Sequence, residues 1–466
     1  MDQGIQDRAA GQDTQSRYDI EAGQDVQARQ DRYVRRLQKL IQTETVSDPT
    51  CYSGKENFDR FHELMWEMFP AIREACELQD FDGSLLLKWK GRDESALPVL
   101  FMNHHDVVPA DPDGWKHPPF SAEIADGKIW GRGTLDNKGG LWAMFQAAEE
   151  LAASGFVPSR DIYFETACNE ETLGQGSDRI SAHLRDTGMR FEMVFDEGGD
   201  IVYEPIGGAK GNFAMIGIGE KSAVILRFVA RSEGGHASTP GKNTPLVRLG
   251  KFMAYVESHQ VFDVRLSPAV MEMLKSFAPY MGRTGKIIEK ADRLRKPFEI
   301  LLPLLGPAAK SLITTTIAFT QAKGGDAVNV IPREAWVLAD MRCSHHQGMA
   351  DSIKTIRKVA RKFDLETEIV EASVEAGLTD HNGKAYKLVE EAVKTTVPGV
   401  DACAPYIMTG ASDSRFFGRV SDQCIRFLPF SITTEQMDTI HGINECLDIS
   451  TLVPAVEYYK YMMQHV

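Results

Sequence analysis

The sequence predicts an α/β protein in which helices cover both faces of a mostly parallel sheet, with a smaller α+β domain inserted. Three observations lead to this prediction. The chain has 466 residues, of which 43% are hydrophobic, and this length suits two cores better than one. Short apolar strands alternate with helical stretches in the first half. Near Gly219 the pattern changes, and the α/β pattern returns after Glu371.

The first thirty residues are polar, and residues 11–17 are repeated imperfectly at 23–29. Because this stretch has almost no large apolar side chains, we expect residues 1–30 to form a disordered or loosely helical tail. An amphipathic helix begins at Tyr33. The alternating strands and helices of the main domain follow, at residues 98–102, 141–153, 161–167 and 193–195.

The inserted domain is predicted from a strand-helix-strand-strand-helix-strand pattern, which is typical of a ferredoxin-like unit. Its strands are expected at 223–231, 314–321, 335–341 and 366–370, and its helices at 245–259 and 349–363. An extra stretch, 262–312, has helical apolar spacing and several basic residues. We therefore expect a main domain of residues 31–219 and 372–466 and a lid and dimerisation domain of residues 220–371.

Charge and cysteine content exclude several classes of function. The formal net charge of −14 argues against binding nucleic acid or an anionic membrane surface, since both need an excess of cations. The seven cysteines include no C-x-x-C pair, so neither a disulfide framework nor a cysteine-ligated metal is indicated. With no apolar stretch typical of a signal peptide or a membrane span, we expect a cytoplasmic protein.

Polar clusters follow the apolar strands, where open α/β sheets place their ligand sites. The first is Asn103-His104-His105-Asp106. His104 can offer a ring nitrogen to a metal ion while Asp106, two residues on, orients the ring. The alternative is a pair of loop histidines near a turn.

The second cluster, residues 131–140, is rich in glycine and precedes a predicted helix. It lacks the dinucleotide fingerprint G-x-G-x-x-G, because Asp136 occupies the last position. A carboxylate there suits a metal bridge better than a pyrophosphate. Asp136 could also act only as a helix cap.

The third cluster carries two adjacent carboxylates, Glu170 and Glu171, at the end of a strand. Adjacent carboxylates repel unless a cation or proton lies between them, so one could bind a metal while the other acts as general base. A solvated acidic turn is the alternative. A further pair, Asp196 and Glu197, ends the next strand, and His441 precedes the last helix. Nitrogen and oxygen donors without thiolates suit Zn²⁺, with Mn²⁺ or Co²⁺ as possible substitutes.

Taken together and in this order, the clusters resemble metallopeptidase family M20, which includes aminoacylase, succinyl-diaminopimelate desuccinylase, carnosinase-type dipeptidases and yeast carboxypeptidase S. The resemblance runs from about Tyr33 to Met462 and includes the strings at 115–120, 234–236, 328–332, 340–342 and 410–415. Asn103 in place of glycine, Ala411-Ser412 in place of Gly-Thr, and the extra His105 depart from the usual pattern. The strings at 195–199 and 413–417 and the long insertion favour the carboxypeptidase S-like branch.

The resemblance implies a zinc-peptidase fold with two zinc ions and five ligands: His104 and Glu197 for one ion, Glu171 and His441 for the other, and Asp136 between them. Choosing Glu197 over Asp196 rests on the aminoacylase-like Asp-Glu-Gly pattern. Glu170 would be the general base for a water bridging the two metals, and Asp106 would fix the His104 ring.

The resemblance also implies roles for lid and substrate-binding residues. His236 resembles the family's lid histidine, which stabilises the oxyanion, often in the active site of the partner subunit, and this implies a homodimer. A turn histidine is the alternative. Asn329, Arg342 and Arg415 are candidates for gripping a substrate carboxylate, although Arg342 could instead pair with Asp340.

The apolar residues of the insertion allow two interpretations. Ile300, Leu301, Leu302, Leu304 and Leu305 could line a pocket for an apolar acyl group, or they could pack the extra helices against the lid.

The function implied by the resemblance is cleavage of an amide or peptide bond next to a free carboxylate, in N-acyl amino acids, dipeptides or short peptides. Two other hypotheses remain open at this point. A catalytically silent relative would bind an amino-acid derivative or a protein partner, and an aminopeptidase of the same zinc architecture would recognise a free N-terminus.

Overall fold

The computed structural model describes residues 26–48, 51–172, 174–290 and 293–466. Its helices are α1 (26–42), α2 (Lys55–Met68), α3 (Pro70–Ala75), α4 (Lys138–Ala153), α5 (Gln175–Asp186), α6 (Pro245–Ser258), α7 (Pro268–Phe277), α8 (Gly282–Ile288), α9 (Arg295–Leu301), α10 (Pro307–Ile313), α11 (Gly348–Arg361), α12 (Lys384–Thr396), α13 (Ser414–Phe417), α14 (Thr434–Met437) and α15 (Leu452–His465). Short 3₁₀ helices cover Glu170–Thr172, Ala278–Tyr280, Leu302–Leu305 and Ile449–Thr451.

The strands among the described residues are β1 (Ser47–Asp48), β2 (Cys51–Tyr52), β3 (Cys76–Phe81), β4 (Ser84–Trp89), β5 (Val99–Met102), β6 (Glu123–Ala125), β7 (Lys128–Trp130), β8 (Ile162–Thr166), β9 (Met193–Asp196), β10 (Ile201–Tyr203), β11 (Asn212–Glu220), β12 (Ser222–Arg231), β13 (Gly235–His236), β14 (Thr316–Lys323), β15 (Val330–Ile331), β16 (Glu334–Cys343), β17 (Glu366–Ala372), β18 (Ala402–Met408), β19 (Cys424–Arg426), β20 (Ser431–Ile432) and β21 (Cys446–Asp448).

The main sheet has ten strands in the order β20-β10-β11-β19-β9-β5-β8-β4-β3, with β18 paired to β11. Its centre is parallel, since β19, β9, β5 and β8 pair in parallel with one another in that order. Strand β5 is apolar and buried at all four positions, as expected for a strand covered on both faces. The predicted mostly parallel sheet with covering helices is confirmed.

Helix α4 is the most deeply buried covering helix, with thirteen of its sixteen residues buried. It lies between the sheet and the helices α1 and α15, and the ring of Tyr33 in α1 meets that of Trp142 in α4 edge to face at 5.2 Å. The chain is already helical at residue 26, so α1 includes the last five residues of the predicted tail. The rest of that tail lies outside the described residues.

The second sheet has four antiparallel strands in the order β14-β16-β12-β17. Buried and partly exposed residues alternate along all ten positions of β16, which gives one face to the core and the other to solvent. Helices α6 and α11 connect strands of this sheet, so the unit has the order of a ferredoxin-like fold. Each of its four strands overlaps its predicted range. The division of the chain into domains stays a prediction.

The insertion between α6 and β14 packs on the main sheet through α7. The ring of Phe277 meets that of Phe213 in β11 at 4.8 Å, and the Tyr280 hydroxyl donates a 2.6 Å hydrogen bond to the carbonyl of Asp401. None of the helices in the described part of the chain has both the length and the hydrophobicity needed to cross a bilayer.

The structure tests one of the two interpretations of the insertion's apolar residues, and the side chain of Leu305 lies outside the described part of the chain. Leu302 is buried, but Ile300, Leu301 and Leu304 are exposed, so these three do not pack against the lid. Helical apolar spacing predicted a buried face here, and the structure places much of that face in solvent.

Candidate metal centre

Three neighbouring parallel strands bring the acidic and histidine clusters to one edge of the main sheet. His104 follows β5, Glu170 and Glu171 follow β8, and Glu197 follows β9. Because β9, β5 and β8 are adjacent and parallel, their carboxyl ends meet at the same edge. Residues far apart in the chain therefore converge on one site.

The Asp136 carboxylate lies between two histidines. Its Oδ1 is 2.9 Å from Nε2 of His104, and its Oδ2 is 3.0 Å from Nε2 of His441. His441 Nε2 is also 3.1 Å from Oε2 of Glu171, and His104 Nε2 is 4.0 Å from Oε1 of Glu197. The structure thus brings together all five residues that the sequence analysis assigned to metal binding.

Of the two carboxylates that end β9, Asp196 is already engaged by the backbone. Its Oδ1 accepts a 2.9 Å hydrogen bond from the amide of Glu197, and its Oδ2 accepts one of 2.7 Å from the amide of Ser414. The Glu197 carboxylate faces His104 instead. This geometry favours Glu197 as the metal-facing residue of the pair.

Asp106 ties two strand ends together beneath His104. Its carboxylate accepts 3.1 Å hydrogen bonds from the amides of Glu170 and Glu171, and it also accepts one from the hydroxyl of Ser47. His104 Nδ1 lies 3.3 Å from Asp106 Oδ1 and 3.1 Å from its carbonyl oxygen. Asp106 therefore orients the imidazole and also the loop that carries both glutamates.

We expect Asp106→Asn to weaken metal binding by about 10–100-fold, because an amide cannot accept all of these hydrogen bonds. The measurement is a competition titration against a chromophoric chelator. Ser47→Ala is the matched control, because it removes one donor to the same carboxylate and should cost less. Unchanged metal affinity in Asp106→Asn would contradict the orienting role.

Glu445 is a further site residue, to which the sequence analysis gave no role. It is fully buried and pairs with Arg132 at 2.7 Å. Its carboxylate also accepts hydrogen bonds of 2.8–3.1 Å from the amides of Gly133, Leu135 and Asp136. Glu445 thereby holds the loop that presents Asp136. Its position four residues after His441 places it near the site in the sequence, but this spacing does not link it to the Asp136 loop.

The carboxylates of the site are crowded. Burial raises the pKa of Glu171 to about 7, and the Asp136 charge adds to the rise. Burial also raises the pKa of Glu197 well above its usual value, again with a contribution from Asp136. Hydrogen bonds to Asp136 and Glu171 raise the pKa of His441 to about 10. Burying these carboxylates close together costs free energy, because their charges are desolvated and repel one another. A bound cation would offset that cost.

The donor set fits divalent metal ions. One donor atom each from His104, Asp136 and Glu171 lie within 4.8 Å of one another. Among the described residues, Oε1 of Glu171 is buried without a hydrogen-bond partner, which is unusual for a carboxylate oxygen. Imidazole nitrogens and carboxylate oxygens in this arrangement are the ligands that Zn²⁺ uses in proteins.

Glu170 lies beside the cluster without joining it. Its side chain is 12% exposed, and its Oε1 is 3.7 Å from Nη1 of Arg415. Burial raises the pKa of Glu170 well above its usual value, and the charge of Asp413 adds to the rise. Arg415 also donates to the carbonyl of Ser412 at 2.6 Å and lies 3.6 Å from Asp413. The Arg415 guanidinium therefore contributes to the electrostatic environment of Glu170.

The remaining candidates lie on the second sheet and its neighbouring ribbon. His236 is exposed in β13, and its Nδ1 is 2.6 Å from the hydroxyl of Ser238. Asn329 is also exposed, and it lies beside His236 because its backbone carbonyl accepts a hydrogen bond from the amide of Ala237. Arg342 forms a two-point pair with Asp340 at 2.9 and 3.0 Å. Within the described residues, no hydrogen bond or ion pair joins these three to the metal cluster.

Comparison with known proteins places the chain in one family. The model of peptidase family M20/M25/M40 matches residues 100–465. Human N-fatty-acyl-amino acid synthase/hydrolase PM20D1 is 30% identical over 434 residues, covering 92% of this chain and 86% of that protein. Carboxypeptidase S of Saccharomyces cerevisiae is 26% identical over 480 residues, covering 92% and 82%.

Solved structures of the same kind share the fold. The M20 family metallo-carboxypeptidase Sso-CP2 of Sulfolobus solfataricus superposes with a TM-score of 0.66 at 19% identity, covering 92% of this chain and 98% of that one. Human carnosine dipeptidase 1 gives a TM-score of 0.62 at 16% identity, covering 94% and 97%. At these identities the likeness concerns the fold alone.

Proposed function

The chain belongs to peptidase family M20/M25/M40, whose members are metal-dependent hydrolases, and on that premise we propose that it cleaves an amide bond next to a free carboxylate. The observation that carries this proposal is the Asp136 carboxylate, which is shared between His104 and His441. A bridging carboxylate flanked by two imidazoles and two further glutamates is the arrangement that a two-metal hydrolase needs.

The proposed ligands divide into two sets around Asp136. His104 and Glu197 would hold one Zn²⁺, and Glu171 and His441 the other, with Co²⁺ or Mn²⁺ as possible substitutes. When bound, the two ions would lower the pKa of a water molecule and polarise the substrate carbonyl. The orphaned Oε1 of Glu171 supports this assignment, because it is a buried acceptor that a cation would satisfy.

Glu170 is the proposed general base. It is buried beside the cluster, and burial raises its pKa well above the usual value, which makes its carboxylate a stronger proton acceptor. It would take the proton of the attacking water and pass it to the leaving amine. Arg415, 3.7 Å from Glu170, can restrain that carboxylate.

The lid residues have proposed roles in oxyanion and substrate binding. His236 is exposed and presents its Nε2 away from the Nδ1 contact with Ser238, so it is available to a second protomer. We propose that it stabilises the oxyanion in a homodimer. Asn329 lies beside it, and Arg342 could exchange part of its pairing with Asp340 for a substrate carboxylate. The homodimer and a cytoplasmic location stay predictions.

The proposed substrates are N-acyl amino acids, dipeptides or short peptides. Two relatives support this class, one a hydrolase of N-fatty-acyl amino acids and the other a carboxypeptidase. Both substrate types have an amide bond whose amine side belongs to an amino acid with a free carboxylate. That shared feature is the part of the substrate that the cationic lid residues could recognise.

A substrate panel tests the proposal with the zinc-loaded protein. We expect release of amino acid from N-acyl amino acids and N-blocked dipeptides. Turnover should be slower by about 10²-fold or more when the substrate carboxylate is amidated, because the cationic side chain that recognises it then loses its partner. The measurement is amino acid release by chromatography.

The panel also separates the other two hypotheses. An aminopeptidase would cleave the C-amidated dipeptide with a free N-terminus and leave the N-blocked one intact. A catalytically silent relative would cleave neither, with zinc or with cobalt. Retention of Glu170 beside all five ligand positions supports a catalyst, because binding alone does not require a base at that place.

A further inference from the structure

A cluster of large apolar side chains on the insertion is exposed to solvent. Ile300 is 69% exposed, Leu301 55% and Leu304 76%. They lie at the end of α9 and in the 3₁₀ turn that follows, where Leu304 comes three residues after Leu301 and four after Ile300 and so neighbours both. Leu302, only 8% exposed, faces the core. An exposed apolar cluster of this kind marks an interaction surface.

The same segment is cationic in an otherwise acidic chain. Residues 282–310 contain seven Lys and Arg against three Asp and Glu, a net charge of +4, whereas the whole chain has a charge of −14. All seven cations are exposed: Arg283, Lys286, Lys290, Arg293, Arg295, Lys296 and Lys310. The apolar cluster therefore belongs to a cationic segment of the chain, with Arg295 and Lys296 on the same helix as Ile300 and Leu301.

Most of these cations are not committed within the protein. Arg295 and Lys296 pair with the buried Glu299 at 3.3 and 2.8 Å. Across the described part of the chain, no ion pair engages the other five. Their charges are available to an external anionic partner.

We propose that this insertion face, defined by Ile300, Leu301, Leu304 and the seven cations, docks on an anionic phospholipid bilayer. The three aliphatic side chains would enter the boundary between headgroups and acyl chains, and the cations would contact phosphates at the headgroup level. The combination of exposed aliphatic groups with surrounding Lys and Arg is what such a surface requires.

The net charge of the whole chain does not oppose this docking. At physiological ionic strength, charges more than about 8 Å apart are largely screened, so distant carboxylates hardly affect the insertion face. The expectation that this protein avoids anionic membranes was drawn from the overall charge, whereas the present proposal is drawn from the local charge of the insertion.

A second copy of the chain fits the insertion face less well than a bilayer does. A symmetric pair that used this segment on both copies would bring two cationic segments together, and like charges across an interface disfavour association. The insertion is anchored to the main sheet through Phe277 and Tyr280, so docking requires no movement of the second sheet. The proposal stands whether or not the proposed amide hydrolysis does.

Vesicle flotation with the full chain tests the proposal. We expect binding to phosphatidylcholine vesicles that contain about 30% phosphatidylglycerol, and little binding to phosphatidylcholine alone. Raising the salt from about 0.05 M to about 0.5 M should weaken binding by about tenfold or more. Leu304→Asp and the double variant Lys286→Glu/Lys290→Glu should each weaken it by about tenfold.

The matched control is Leu97→Asp, the same change at a 50% exposed leucine ahead of β5. It should bind vesicles as the wild type does. Since Leu304 and Leu97 are both exposed, thermal melts should show that both variants fold. The proposal is overturned by wild-type protein that stays with the buffer, by equal loss in Leu97→Asp, or by a Leu304→Asp variant that changes the oligomeric mass while still floating with vesicles.

Discussion

Replacing Glu170 with glutamine is expected to lower kcat by about 10²–10⁴-fold while the fold and the metal content stay unchanged. Glutamine has nearly the same shape but cannot accept the proton of the attacking water. Glu170 is within the site yet makes no described hydrogen bond to the five ligand residues, so the substitution leaves the metal donors intact. The substitution should therefore lower turnover and leave metal binding unchanged.

The measurement combines steady-state kinetics on an N-acyl amino acid with elemental analysis of the same protein. Glu94→Gln is the matched control, because Glu94 is 68% exposed and pairs with Lys90 at the surface. Wild-type kcat is expected there. If Glu170→Gln kept full turnover with two metals bound, another group would have to be the base. A lowered metal content would instead make Glu170 a ligand.

Much of the candidate site could be predicted because it lies on regular elements. His104 and Glu197 come within two residues of the ends of buried strands and Glu171 within five, and parallel neighbouring strands deliver their ends to one edge. Polar clusters at strand ends predicted a ligand site, and the family resemblance supplied the assignment of its ligands. The second sheet was predictable for a similar reason, since β16 alternates strictly between buried and partly exposed residues.

The supporting residues could not be predicted from the sequence because they act through the backbone across long separations. Glu445 holds three amides of the Asp136 loop more than three hundred residues away, and Ser47 supports Asp106 from the segment between α1 and α2. No spacing rule connects such positions. Arg415 was assigned to substrate binding from the family resemblance, which stays a prediction, and its neighbours include Glu170, Ser412 and Asp413.

Helical periodicity also gave a wrong expectation for Ile300, Leu301 and Leu304. An apolar stripe predicts a face that is buried against another element, but periodicity does not say whether that element belongs to the same chain. The N-terminal tail was expected to be disordered or loosely helical. Residues 26–30 lack large apolar groups apart from Val26, yet they are helical, since Arg29 and Gln30 bind Glu457 and the carbonyl of Ile449 in the last part of the chain.

Replacing Asp136 with asparagine is expected to abolish activity and to reduce the metal content below two ions per chain. The reason is geometric, because each carboxylate oxygen faces a different histidine, Oδ1 toward His104 and Oδ2 toward His441. Asparagine keeps one oxygen and presents an NH₂ group where the second oxygen was. An NH₂ group is a donor and cannot bind a metal ion, so at least one site loses a ligand.

The measurement is metal content after gel filtration, together with the rise in unfolding temperature on adding zinc. Binding that saturates the wild type about a thousandfold above Kd stabilises it by about 4 kcal/mol, and Asp136→Asn should lose most of that gain. Asp59→Asn, at a half-exposed surface carboxylate paired with Lys55, should keep it.

A comparison with Glu197→Gln tests whether Asp136 bridges the two sites. Among the described residues the Glu197 carboxylate forms an ion pair with His104 and none with His441. Its loss should therefore weaken the binding of one metal ion and leave the pair formed by Glu171 and His441. If Asp136 serves both ions, Asp136→Asn must be the more damaging change, with the second ion also bound more weakly. Equal loss of a single ion in both variants would mean that Asp136 belongs to the His104 site alone, and the two-metal mechanism would then lack its bridge.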